Sequence, residues 1–121
     1  MLTQIGHMKS INATATFAAK QFTFVKIDAY GQLATPTAGG YAIGVIQDKP
    51  LAGSPGAVCC PGDITSVQSG GVFAKGDDIC TDASGYAVKA TSGGYVLGIA
   101  LSAGAVGSLA SILYQPKASK L

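Results

Sequence analysis

Thr37-Ala38-Gly39-Gly40-Tyr41-Ala42-Ile43-Gly44-Val45 and Thr91-Ser92-Gly93-Gly94-Tyr95-Val96-Leu97-Gly98-Ile99 are two versions of one phrase, 54 positions apart. The same offset, without a gap, aligns Ile27-Asp28-Ala29-Tyr30-Gly31 with Thr81-Asp82-Ala83-Ser84-Gly85. Asp28/Asp82, Gly31/Gly85, Gly39/Gly93, Gly40/Gly94, Tyr41/Tyr95 and Gly44/Gly98 thereby fall into pairs. A looser echo joins residues 52–56 to 103–107. Two copies are too few for a solenoid, so the spacing predicts one domain of two related halves.

Each half reads as β structure. Phe22 to Ile27 is aromatic and β-branched and runs into Asp-x-x-Gly. The aspartate starts such a turn because its carboxylate accepts a hydrogen bond from backbone two residues on. Glycine supplies the positive φ that closes a short hairpin. The chain returns through residues 32–34 in one half and 86–90 in the other. A Gly-Gly turn and a strand follow, Tyr41 to Gln47 or Tyr95 to Leu101. Gly44 and Gly98 lie inside those strands, where glycine marks a bend or a close backbone approach. The matched bends suggest strands curling into a small barrel.

Around these blocks, Ile11 to Phe17 alternates apolar and polar residues, the period of a half-buried strand. Residues 57–60, 63–68, 72–74, 78–80 and 108–114 are further strand candidates between Gly, Pro and Asp punctuation. The expected fold is all-β, a small β-barrel or β-sandwich with an internal two-fold pseudo-repeat. The body spans residues 11–116, between an N-terminal arm (1–10) and a C-terminal tail (117–121).

Charge is sparse: 12% of residues against 48% hydrophobic, where about 25% charged is usual. A surface with so few charges is expected to lie largely against other protein. All eight cations are Lys and all six acids Asp, so the guanidinium fork that grips phosphate or carboxylate is missing. Net charge is +2 with scattered lysines, which excludes a basic nucleic-acid stripe. No apolar run reaches membrane-spanning length and no secretory leader is visible, so synthesis in the cytoplasm is expected. Three cysteines, two of them adjacent (Cys59, Cys60, Cys80), fit a reducing compartment better than a disulfide framework.

No catalytic constellation emerges, and the chain reads as a non-enzyme without cofactor. His7 is the sole histidine, in an end segment that offers neither a fixed partner nor a sheltered site. Asp77, Asp78 and Asp82 lack the spacing of a calcium loop and read as turn formers. Cys59-Cys60 has the wrong spacing for zinc. As neighbours on a strand, only one of them should enter the core. Tyr41 and Tyr95 read as two equivalent packing positions rather than sugar platforms. The residues with structural work to do are the turn residues Asp28, Gly31, Gly39, Gly40, Gly44, Asp82, Gly85, Gly93, Gly94 and Gly98. In the arm, Leu2, Ile5, His7 and Met8 are candidate contacts with a partner.

The order Lys20-Gln21-Phe22-Thr23-Phe24-Val25-Lys26-Ile27-Asp28, Gly31, then residues 42–50 (AIGVIQDKP), resembles the capsid decoration or cement proteins of tailed phages. The second half continues it with residues 71–78 (GVFAKGDD), 81–85 (TDASG) and 90–100 (ATSGGYVLGIA). The resemblance covers roughly residues 11 to 114. It implies a small β domain, usually a homotrimer, on the outer capsid surface of the virion, clamping neighbouring major capsid protein subunits. It brings no catalytic residues, no nucleic acid and no membrane. A carbohydrate- or host-binding β module on a virion is the alternative.

Overall fold

The computed structural model describes residues 8–12, 21–29, 31–48, 55–59 and 61–117, none of them helical. Ten strands follow in order: β1 (Met8–Asn12), β2 (Phe24–Ile27), β3 (Leu33–Ala34), β4 (Gly44–Val45), β5 (Pro55–Cys59), β6 (Ile64–Gln68), β7 (Asp78–Thr81), β8 (Ala87–Lys89), β9 (Gly98–Ala100) and β10 (Leu109–Tyr114). The all-β expectation holds.

The strands form two layers. The second is one antiparallel sheet of order β6-β10-β9-β7-β8. The first consists of β3-β2-β4 and β1-β5, joined by the bridge Ile46↔Val58 and the Gln47 N–H bond to Ala57 O, 2.8 Å. Its order is therefore β1-β5-β4-β2-β3. Registers correspond at the offset of the sequence pairs. Lys26↔Ala34 and Ile27↔Leu33 in β2–β3 stand against Cys80↔Val88 and Thr81↔Ala87 in β7–β8. Phe24↔Val45 stands against Asp78↔Ile99, and Ile46↔Val58 against Ala100↔Ile112.

Gly44 and Gly98 sit where a neighbouring strand crosses. A Cβ on Gly44 would run into Cys59 O and Val58, and one on Gly98 into Leu113 O. Close approach rather than turn geometry demands glycine there. The strands bend but do not close into a barrel. Among the described residues β6 and β8, the edges of the second layer, share no ladder; just past β6 the isolated bridge Ser69↔Ala87 joins them, with Gly70 N donating to Ala87 O at 2.8 Å. Closure needs a continuous ladder between first and last strands, and a single bridge leaves an open, curled sheet. The outcome is sandwich-like.

Two hydrophobic clusters hold the layers. Val25, Leu33, Ile46 and Val58 form one within the first layer. The larger joins Phe24, Ala42, Val45 and Cys59 of the first layer to Val67, Ile79, Ala100, Ile112 and Tyr114 of the second. Phe24 and Tyr114 meet at 6.4 Å between ring centroids, and the buried Tyr114 hydroxyl donates to Ala42 O at 2.7 Å. That bond lets a tyrosine occupy a fully buried position without an orphaned hydroxyl.

Several strand expectations shorten: of residues 95–101 only Gly98–Ala100 is strand, and of the expected strand 11–17 residues 11–12 belong to β1 while 13–17 lie outside the described residues. β2 begins at Phe24, not Phe22, because Phe22 adopts φ +62°, a left-handed conformation that breaks the extended run. Of residues 41–47 only Gly44–Val45 is strand, with Ile46 bridged to Val58. Residues 72–74 contribute a single bridge, Phe73↔Gly104.

Candidate functional site

Matching turns are built alike and used differently. In both, the glycine N–H returns to the aspartate carbonyl, at 3.1 Å for Gly31 to Asp28 and 3.2 Å for Gly85 to Asp82. The aspartate Oδ1 accepts from backbone four residues on: Gln32 N at 3.0 Å and Tyr86 N at 2.9 Å. Asp82 Oδ1 also takes Ser84 N at 2.9 Å. Gly31 and Gly85 both have positive φ, 76° and 85°. Gly31 lies open, whereas buried Gly85 packs on Thr23 and Phe24 and its carbonyl accepts Phe24 N–H at 2.8 Å. The second turn thus docks onto the first layer.

The Gly-Gly turns meet each other. Gly39 and Gly94 approach so closely that a Cβ on either would press on the other's Cα, and Tyr95 N donates to Gly39 O at 2.9 Å. Tyr41 and Tyr95 are edge to face, with centroids at 5.4 Å. The tyrosines form one mutual contact rather than two separate packing positions, and Tyr41 stays 45% exposed.

The broad unpartnered feature is the outer face of the second layer. One row across it is Ile64, Leu113, Ile99 and Asp78, each opposite the next. Beside it lie Ser66 and Ser111, and then Gln68 opposite Leu109. Ile64 is 70% and Leu109 57% exposed, while Leu113 and Ile99 are half-buried. Asp78 is the one charge in these rows. At the Leu109 end, a cleft of about 260 Å³ is lined by Gln21, Phe22, Gln68, Gly107 and Leu109. Gln68 Nε2 donates to Gln21 O at 2.6 Å and Gln68 N to Phe22 O at 2.7 Å, fixing the left-handed Phe22 in the cleft wall. Nearby loops carry Val72 and Val106 at 78% and 75% exposure.

Of the arm residues, Leu2, Ile5 and His7 lie outside the described residues. Met8 begins β1, with its Cα paired to that of Cys59. Cys59 is buried and its Sγ accepts Val45 N–H at 3.3 Å; Cys60 is outside the described residues. Burial pushes the Cys80 thiol up, a Thr91 backbone hydrogen bond opposes this, and the Asp82 charge adds to it. Such a thiol is a poor nucleophile. Asp77 and Asp82 are turn formers, Asp77 Oδ2 accepting Ala74 N at 2.8 Å, whereas Asp78 opens strand β7 opposite Ile99 rather than forming a turn. Among the described residues no group of three or more His, Cys, Asp or Glu side chains is placed to hold a metal ion.

The exposed face was absent from the candidates read in the sequence, though a signal existed. Ile64-Thr65-Ser66-Val67 and Leu109-Ala110-Ser111-Ile112-Leu113 place apolar side chains in both phases of the strand period. A sheet with water on one side alternates apolar and polar residues; apolar residues in both phases ask for cover on both faces.

The described residues form a charge-poor β-sandwich with open apolar sheet surface and no reactive cluster. The chain belongs to the phage cement protein family, whose model matches residues 3–113. It is accordingly a structural protein of the phage virion. The fold is also that of the N base of head fibre gp8.5 of bacteriophage phi29, at TM-score 0.75 and 18% identity, over 94% of this chain and 96% of that one. No curated protein matches the chain significantly.

Proposed function

We propose that this protein binds the outer surface of a phage capsid as a homotrimer, after synthesis in the host cytoplasm, and stabilises contacts between major capsid protein subunits. The observation that carries the reading is membership of the cement family over nearly the whole chain, joined to a sheet face that is apolar, open and almost free of charge. The phi29 relative in fold is itself a head fibre, which agrees with a place on the capsid.

The mechanism is additive clamping. A trimer touches several subunits at once, and linked weak contacts gain strength through effective concentration. With charges at 12% of residues, burial of apolar surface outweighs ion pairing. One ion pair, Lys89 to Asp77 at 4.0 Å with the lysine 65% exposed, illustrates the surface class that contributes little. The N-terminal segment, with Leu2, Ile5, His7 and Met8, supplies a further capsid contact in this reading.

The test is co-sedimentation of the purified protein with expanded empty capsids across a salt series. Saturable binding that barely changes with salt is expected, since few charge pairs exist to screen. A steep loss of occupancy at moderate salt contradicts the apolar mechanism, and no co-sedimentation contradicts the function. Removing residues 1–7, which precede β1, should lower occupancy; full occupancy removes the arm from the scheme. The carbohydrate-binding alternative draws little from Tyr41 and Tyr95, which pack edge to face on each other.

A further inference from the structure

Each layer leaves two strand edges, and three of the four carry devices that keep an edge from pairing with a foreign chain. β3 is two residues long and is soon followed by Pro36. β8 is three residues long, ends in Lys89 and has Ala87 O taken by Gly70 N. β1 includes Lys9. Short strands, lysine and proline are the usual means of blunting an edge. β6 has none of them. Ile64-Thr65-Ser66-Val67-Gln68 is a five-residue strand without charge, proline or glycine, in unbroken one-to-one register with β10. β10 is equally free of charge.

The ladder fixes which backbone groups that edge offers. Tyr114 N donates to Asp63 O, and Ser69 N to Ser108 O. Residues 63, 65, 67 and 69 therefore turn their polar groups to β10, and Ile64, Ser66 and Gln68 turn theirs outward. Gln68 N already has an acceptor across the edge, Phe22 O at 2.7 Å. Ser66 O accepts the Thr65 hydroxyl at 3.1 Å and keeps a second lone pair. Among the described residues no hydrogen bond reaches Ile64 N, Ile64 O or Ser66 N. The open stretch thus presents the donors and acceptors of two alternate strand residues, and Phe22 closes it at one end. The cleft lined by Gln21, Phe22, Gln68, Gly107 and Leu109 lies at that same end.

We infer that the β6 edge, from Ile64 to Ser66, is a strand-addition site that takes an extended, uncharged segment of the major capsid protein. This rests on the proposed function and names the place and mode of that contact. Donors and acceptors on alternate residues select an extended backbone, not a helix or a small molecule. The other edges select against a copy of this chain. Pairing β6 with β6 is two-fold and ends at a dimer, while β1, β3 and β8 are blunted against receiving it. A charged side chain laid beside β6 and β10 loses water and gains no partner there, so the segment is uncharged. Backbone hydrogen bonds carry no net charge, which agrees with binding that changes little with salt.

The experiment measures amide hydrogen exchange of the full chain, free and on expanded empty capsids, beside the capsid affinity of Ser66→Pro and Ser66→Ala. In the free chain the Ile64 and Ser66 amides are expected to exchange fast and those of Thr65 and Val67 slowly. Capsid binding should slow the Ile64 and Ser66 amides about tenfold or more. Ser66→Pro removes an outward N–H and no bond to β10, a place where an edge strand tolerates proline. It should weaken capsid binding about tenfold or more, whereas Ser66→Ala keeps the N–H and should bind as the wild type does. Any pattern other than loss in the proline variant alone overturns the site. So does slow exchange of Ile64 and Ser66 in the free chain, which means that this chain or a second copy already covers the edge. Should Ser66→Pro not fold, wild-type exchange decides: amides still fast on the capsid overturn the inference. A wild type that binds capsids with a fast-exchanging edge sinks this inference and spares the proposed function. A wild type that ignores capsids sinks the function, and the inference with it.

Discussion

The Asp28–Gly31 and Asp82–Gly85 turns share a hydrogen-bond scheme, yet one hangs in solvent and the other is wedged against Phe24. Local sequence therefore specifies the turn, and tertiary packing decides what it is worth. The same holds for whole layers. A row of residues buried in the first, Phe24-Val45-Cys59, has a counterpart in the second, Asp78-Ile99-Leu113, that is only half-buried. Matching registers with unequal environments make the pair an internal control, since a substitution can be made at both positions of one molecule.

The largest effect is expected where the two layers agree. Gly44→Val and Gly98→Val each drive a side chain into a crossing strand's carbonyl and should cost about 3 kcal/mol or more apiece, measured by urea unfolding. A large difference between them would break the equivalence of the bends. Next come the turns, where the layers differ. Gly31→Ala meets only the positive-φ penalty, about 1 kcal/mol. Gly85→Ala adds a clash with Phe24 O and should reach about 2–3 kcal/mol. Equal losses would mean that the docking of the second turn contributes nothing.

Smaller still, Asp82→Ala removes the acceptor of Ser84 and Tyr86 N–H beside a buried turn and should cost about 1–2 kcal/mol. Asp28→Ala, at the open turn, should cost roughly half that by thermal melts. The smallest effect concerns Cys80, which stands where the first layer has Lys26. Its thiol is held up by burial, so the folded chain stays protonated after the unfolded chain ionises. That contribution is complete below the unfolded thiol's pKa and is lost as pH rises through the folded one. Cys80→Ala should flatten the alkaline decline of stability; an unchanged decline would assign it to other groups.

Much of this fold was legible in the sequence because its determinants are local. Asp-x-x-Gly and Gly-Gly mark turns through φ and carboxylate hydrogen bonding, and β6, β7 and β10 follow from β-branched runs. What was not legible depends on partners distant in sequence. Barrel or sandwich turns on whether β6 and β8 share a ladder, and they share one bridge. Phe22 reads as an ordinary strand residue. Its φ of +62° is held from outside, by Ile46 O and Gln68 N, at a strain of about 1–3 kcal/mol. The outer face escaped notice because Ile64 and Leu109 look like core residues until the opposite phase of each strand is seen to fill the core.

Tyr114 has a consequence for how the molecule comes apart. Its ring lies in the cluster that both layers share, against Phe24, and its hydroxyl is tied to Ala42 in the first layer. Neither layer can melt without exposing the other's apolar surface, so heating should produce one calorimetric peak rather than two, with van't Hoff and calorimetric enthalpies in agreement. A virion protein whose layers loosen together keeps both of them folded up to a single melting temperature.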